Sequence, residues 1–131
     1  VNLFKTTGVL HYDDAKLNVV VDPEIGRYYR SLLPKYIQPN PQRYPPHISV
    51  VRNEIPPNMG LWGKYEGHNV EFHYTHTIFF GRVYCWLNAF CERLEEIRLE
   101  LGLPVTSEYT RPPSDRWIKC FHITIGNFKE L

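Results

Sequence analysis

The spacing of apolar positions along the chain marks out its elements. Residues 3–12 are rich in threonine, aliphatic and aromatic side chains, and residues 17–21 form a short apolar run between Asp13-Asp14 and Asp22-Pro23. Both read as strands joined by a turn. Asp22 followed by Pro23 predicts a capped helix start, continuing to about residue 33. Ile25, Tyr28, Tyr29, Leu32 and Leu33 recur at spacings of three and four and predict one apolar face, with Arg27 and Arg30 toward the other. Five prolines between residues 34 and 46 predict a stiff, extended loop.

Strand patterns resume at residues 47–53, followed by a Pro/Gly-rich loop over 55–67 and strands over 69–75 and 77–83. The spacing of Leu87, Phe90, Leu94, Ile97 and Leu101 predicts a helix over 86–101, stopped by Gly102. Glu92, Arg93, Glu95, Glu96, Arg98 and Glu100 would form its solvated face. A polar loop over 106–116 leads to a last strand over 117–125. Each half of the chain thus holds strands and one helix, within a single domain spanning residues 1–131.

Two strands share a phrase. His47-Ile48-Ser49-Val50 and His122-Ile123-Thr124-Ile125 both read histidine, aliphatic, hydroxyl, aliphatic. Side chains alternate along a strand, so His47, Ser49 and Val51 would share one side, as would His122 and Thr124, while the aliphatic residues anchor in a core. A third partial copy, His73-Tyr74-Thr75, ends in His76 rather than an aliphatic residue. If the two full copies face one cleft, two imidazoles and two hydroxyls converge. Phosphodiester cleavage needs a base, an acid and donors for the charge growing on phosphoryl oxygens. Histidine, which titrates near neutrality, suits the first two roles.

Composition narrows the ligand. The 131 residues are 43% hydrophobic and 15% aromatic, enough for a sizeable core. A formal net charge of +1 argues against a protein that coats long nucleic acid. Cys85, Cys91 and Cys120 lack metal-ligand spacing and suit reduced thiols in a cytoplasmic protein. No run of about 18 apolar residues marks a membrane span. His68, His73 and His76 lack a carboxylate or cysteine spaced to complete a metal site, so neither metal nor cofactor is expected.

The paired motifs resemble those of the 2H phosphoesterases, named for two His-x-Thr/Ser-x motifs. Residues 17–29, Leu-Asn-Val-Val-Val-Asp-Pro-Glu-Ile-Gly-Arg-Tyr-Tyr, and residues 44–51, Tyr-Pro-Pro-His-Ile-Ser-Val-Val, look most like the phage anti-CBASS cyclic-oligonucleotide phosphodiesterases within that family. The resemblance implies an α+β, bilobal (LigT-like) fold, with antiparallel sheets around a central cleft and helices packed outside. It also implies metal-independent cleavage of 3′-5′ bonds in a cyclic di- or trinucleotide signal, inside an infected bacterium, with no protein partner required. His47 and His122 would be base and acid in an order left open, and Ser49 and Thr124 the donors to phosphate oxygens. A 2H enzyme acting on RNA ends or 2′,3′-cyclic phosphates, and a non-catalytic module that sequesters nucleotides, are the alternatives.

A nucleotide also needs aromatic faces and cations. Tyr12 and Trp86 are the stacking candidates, with Trp62 and Trp117 behind them. Arg52 is the cation chosen among Lys5, Lys35, Arg43, Arg52 and Lys119, although buried aromatics more often fill cores and exposed cations are mostly solvated.

Overall fold

A computed structural model describes residues 3–113 and 119–129. Strand β1 (Leu3–Tyr12) turns back into β2 (Leu17–Val20) through Asp13, whose carboxylate accepts from the Ala15 and Lys16 amides at 2.9 and 2.7 Å. Helix α1 (Pro23–Ser31) opens on the Asp22 cap, which accepts from the Glu24 amide at 2.9 Å. Then come β3 (His47–Val51), a 3₁₀ turn at Met59–Leu61, β4 (Asn69–Thr75), a short β5 (Phe79–Phe80), β6 (Tyr84–Phe90), helix α2 (Glu92–Glu100) and β7 (Phe121–Asn127).

The strands form one antiparallel sheet rather than two lobes. Its order is β4-β1-β2-β3-β7-β6-β5, and β4 also pairs with β6, so six strands close into a barrel. β5 lies beside β6 beyond the end of that second pairing. The bilobal α+β fold implied by the resemblance is therefore not the architecture of this chain. The reason lies in the pairing. β1 runs against β4 over seven residue pairs, and β3, from the first half of the sequence, is joined to β7 from the second. Neither half keeps a sheet of its own.

A second difference is local. Residues 84–90, mostly inside the predicted helix, are strand β6, and α2 begins only at Glu92. Leu87 and Phe90 match a helical spacing with Leu94 by coincidence. The deciding pattern is a strand alternation in which Cys85, Leu87 and Ala89 are wholly buried in the core. The strand expected over 77–83 contracts to Phe79–Phe80. The start of the last strand, with Trp117, lies outside the described residues.

The core joins Leu10, Leu17, Val19, Ile48, Val50, Phe72, Leu87, Ile123 and Ile125 of the sheet to Tyr29 of α1 and Leu94, Ile97 and Leu101 of α2. Only part of the predicted α1 face is used. Tyr29 is buried and Ile25 partly so, whereas Tyr28 and Leu32 are each 56% exposed. Arg30 turns inward to donate to the Ile125 carbonyl at 2.7 Å. Gly102, at φ 85°, ends α2 in the left-handed conformation open to glycine. Among the described residues, no helix is long and apolar enough to cross a membrane.

Candidate active site

The two histidine phrases lie side by side. β3 and β7 are antiparallel neighbours with Ile48 opposite Ile123. One step along the ladder either way puts His47 opposite Thr124 and Ser49 opposite His122. Opposed residues have Cβ atoms about 4.5–5.5 Å apart, and the diagonal His47 to His122 is about 7–8 Å, room for a phosphoryl group between the ring tips. Ile48 and Ile123, both fully buried, hold the other face in the core.

The rows extend onto the flanking strands. In β6, Trp86 pairs with Thr124, Asn88 with His122 and Tyr84 with Asn127. In β2, Val20 pairs with His47 and Asn18 with Ser49. Trp86 and Asn88 are 3% and 4% exposed, while Val20 is 42% exposed. One side of the histidine square is therefore walled and the other is open.

Both motif strands carry an irregularity just past the hydroxyl residue. In β3 the register jumps from Ser49 opposite Asn18 to Val51 opposite Leu17, leaving Val50 as an extra residue. Val50 and Val51 are both fully buried, which breaks strict alternation and returns Arg52 to the side of His47 and Ser49. Strict alternation from the sequence would have put Val51 there. In β7 the extra residue is Ile125, between Thr124 opposite Trp86 and Gly126 opposite Cys85, and Asn127 is the residue returned. The square thus has Arg52 beyond its Ser49–His122 row and Asn127 beyond its His47–Thr124 row.

Each imidazole is fixed by a carbonyl. His47 Nδ1 lies 3.0 Å from the Pro45 oxygen, and His122 Nδ1 lies 3.0 Å from the Thr110 oxygen. A carbonyl only accepts, so in both rings Nδ1 must carry the proton, and Nε2 is the nitrogen that can gain or lose one. His122 is held well below the ordinary histidine range, at about 4. Burial is the main cause, opposed by the Thr110 carbonyl and reinforced by the charges of His47 and Arg52. At neutral pH its Nε2 therefore offers a lone pair.

The other predicted residues divide. Arg52 and Trp86 join the histidines, whereas Tyr12 belongs to the opposite face. Tyr12 is 9% exposed, pairs with core residue Leu17 and packs edge-on against Trp62 with ring centroids 5.1 Å apart. Trp86 forms part of the wall, its Nε1–H donating to Asn88 Oδ1 at 3.1 Å. His73 and His76 are exposed, and His73 pairs with Phe90, on another part of the sheet. Lys5 meets Glu71 at 3.4 Å on the exposed surface.

Four residues were missed by sequence reasoning. Asn88, opposite His122, was assigned to a helix. Tyr84 pairs with Asn127 on the histidine side, and the Lys129 ammonium sits 5.1 Å from its ring centroid. Thr110, buried in a loop, contributes only a carbonyl, which no side-chain pattern reports. Arg98, predicted on the solvated face of α2, is fully buried. The alternation Tyr84, Trp86, Asn88, Phe90 was the available signal for the first two.

Comparison with known proteins yields no match to a family model, to a curated protein or to a solved structure.

Proposed function

We propose that this protein is a metal-independent phosphodiesterase whose substrate is a small ribonucleotide, a cyclic di- or trinucleotide signal. The observation that carries this reading is the pair of imidazoles diagonal across two adjacent strands, each with Nδ1 committed to a carbonyl and Nε2 left to exchange a proton. The motif resemblance to the 2H phosphoesterases supports the same chemistry. The closed barrel departs from the bilobal arrangement that came with it, and the site itself carries the reading.

His122, neutral near pH 7, takes the base role. Its Nε2 accepts the proton of a ribose 2′-hydroxyl as that oxygen attacks the adjacent 3′-5′ phosphodiester. His47, protonated at Nε2, gives its proton to the departing 5′-oxygen, leaving a 2′,3′-cyclic phosphate and a free 5′-hydroxyl. Ser49 and Thr124 donate to the non-bridging oxygens, and Arg52 offsets the growing negative charge at the His122 end. Hydrolysis of the cyclic phosphate by water, with the two imidazoles in exchanged roles, would complete the cycle. Each imidazole is assigned on the order of 10²- to 10⁴-fold of the rate.

The test is incubation with a panel of cyclic di- and trinucleotides in EDTA, with products resolved by chromatography. Opening of the ring to a 2′,3′-cyclic phosphate product is expected. His47→Ala and His122→Ala should each lose at least about 10²-fold of turnover while His73→Ala keeps it. Tight binding with every ligand recovered intact would overturn catalysis and leave a nucleotide-sequestering protein.

A further inference from the structure

We propose that the buried pair of Arg98 and Glu54 positions His122, working through the loop that carries Thr110; the pair is a positioning device for the site assigned above. Arg98 projects from α2 into the core and makes four hydrogen bonds. Two run side by side to the Glu54 carboxylate, from Nη1 and Nη2 at 2.9 and 2.8 Å. Nη1 also reaches the Val50 carbonyl at 2.7 Å, and Nε reaches the Pro104 carbonyl at 2.7 Å. One guanidinium therefore ties together a helix, the extra residue of β3 and the start of the 104–110 loop.

Glu54 also takes hold of the strand end, its carboxylate accepting from the Arg52 amide at 3.4 Å. Burial pushes this carboxyl up, but Arg98 and the Arg52 amide outweigh it and hold the group below its ordinary value. The turn beyond Ser107 is closed by its own bonds. Ser107 N–H donates to Thr110 Oγ1 at 3.0 Å, and Thr110 N–H donates to the Ser107 carbonyl at 3.1 Å. Thr110, with no exposed surface, then presents its carbonyl to His122 Nδ1.

Arg98 to the Pro104 carbonyl, the short loop from there closed on itself between Ser107 and Thr110, and Thr110 to His122 make one path from the ion pair to the ring. The same pair fixes Val50 and Arg52, so both ends of the Ser49–His122 row hang from it. A buried ion pair is a poor way to gain stability, because an apolar pair of similar volume does as well or better. What that apolar pair could not do is hold four oxygens from three segments in register.

The test reads His122 directly, by nitrogen NMR of the histidine rings, with no substrate present. In the unaltered chain His122 should show a single tautomer with the proton on Nδ1. In the Arg98→Met/Glu54→Leu double variant, shown folded by its cooperative unfolding, the His122 signal should become a mixture of tautomers while His47, held by Pro45, keeps its own. If the double variant does not fold, Thr110→Val, which removes the hydroxyl that closes the turn onto Ser107 and leaves the ion pair, takes its place with the same expectation. Turnover should fall about 10- to 100-fold in either variant, the effect of losing an outer-shell partner. A folded variant whose His122 retains the single Nδ1–H tautomer would overturn the proposal. Failure of the phosphodiesterase reading is separate, since it would show as no cleavage by the unaltered chain with the tautomer result intact.

Discussion

Asn88 stands directly across from His122 on the neighbouring strand, and its side-chain oxygen accepts from the indole of Trp86. An indole N–H only donates, so the amide is oriented with its oxygen toward Trp86 and its nitrogen away from it. The Asn88 backbone N–H donates to Thr75 Oγ1 at 3.2 Å. Asn88→Leu strips the buried indole of its acceptor. We expect a loss of about 1–3 kcal/mol of folding stability, measured by urea denaturation, and a lower turnover number. Unchanged stability would mean that the indole finds another acceptor.

Acid should destabilise this fold earlier than its carboxylates alone would require. His122 is depressed to about 4 in the folded chain. Between there and the unfolded value near 6.5, the unfolded chain binds a proton that the folded chain does not. Its contribution is therefore complete above about pH 6.5 and lost as pH falls toward 4. Because the ring is partly exposed, the size is on the order of 1–2 kcal/mol. Glu54, also depressed, acts with the same sign in a lower window, below 4.5. Denaturation of His122→Gln across pH 4 to 7 should show a flatter slope in the upper window. The acid limb of kcat/KM should correspondingly lie below the ordinary histidine range.

Base binding should depend on Tyr84 and leave Tyr12 aside. Tyr84 shares the histidine side with Lys129 over its ring, whereas Tyr12 is packed on Trp62 in the core. Tyr84→Ala removes a stacking surface worth about 1–3 kcal/mol, which converts to roughly 5- to 150-fold in KM. Tyr12→Phe should leave KM near its original value. Steady-state kinetics on both variants decide it, and a larger effect from Tyr12→Phe would reverse the assignment.

Gly126 is where the proline loop meets the sheet. A Cβ there would lie 2.9 Å from Pro39 Cβ and 3.0 Å from the Asn40 carbonyl oxygen. Asn40 and Asn127 exchange backbone hydrogen bonds at 2.7 and 3.0 Å beside it. Gly126→Val must push the loop away. The expected cost is about 1–3 kcal/mol, with faster proteolysis in residues 34–46. An unaltered melting temperature and cleavage pattern would show that the loop gives way freely.

Much of the first half was legible in the sequence because its signals were local. The Asp22-Pro23 start of α1, the Asp13 turn and the alternation of β3 depend only on neighbours. The error at residues 84–90 arose because β6 is buried on nearly every side. Tyr84, Cys85, Trp86 and Leu87 are all large or apolar, so a helical spacing could be drawn through them. Arg98 was illegible for another reason. Its burial depends on Glu54, 44 positions away, and on two carbonyls that have no sequence signature. The histidine phrases were readable as a pair, but their adjacency required knowing that β3 and β7 are neighbours.

The extra residue in β3 makes the strand's phase a matter of counting. Before Val50 the odd-numbered residues His47 and Ser49 look toward the site, and after it the even-numbered Arg52 does. Deleting Val50 would restore simple alternation and keep this phase, with Val51, now next after Ser49, in the core and Arg52 still toward the site. Pairing the same residues without the irregularity would do the opposite, carrying the guanidinium of Arg52 to the core side and turning Val51 out beside Ser49. The irregularity of the ladder, and not the residue types alone, thus sets a cation rather than an isopropyl group at the site.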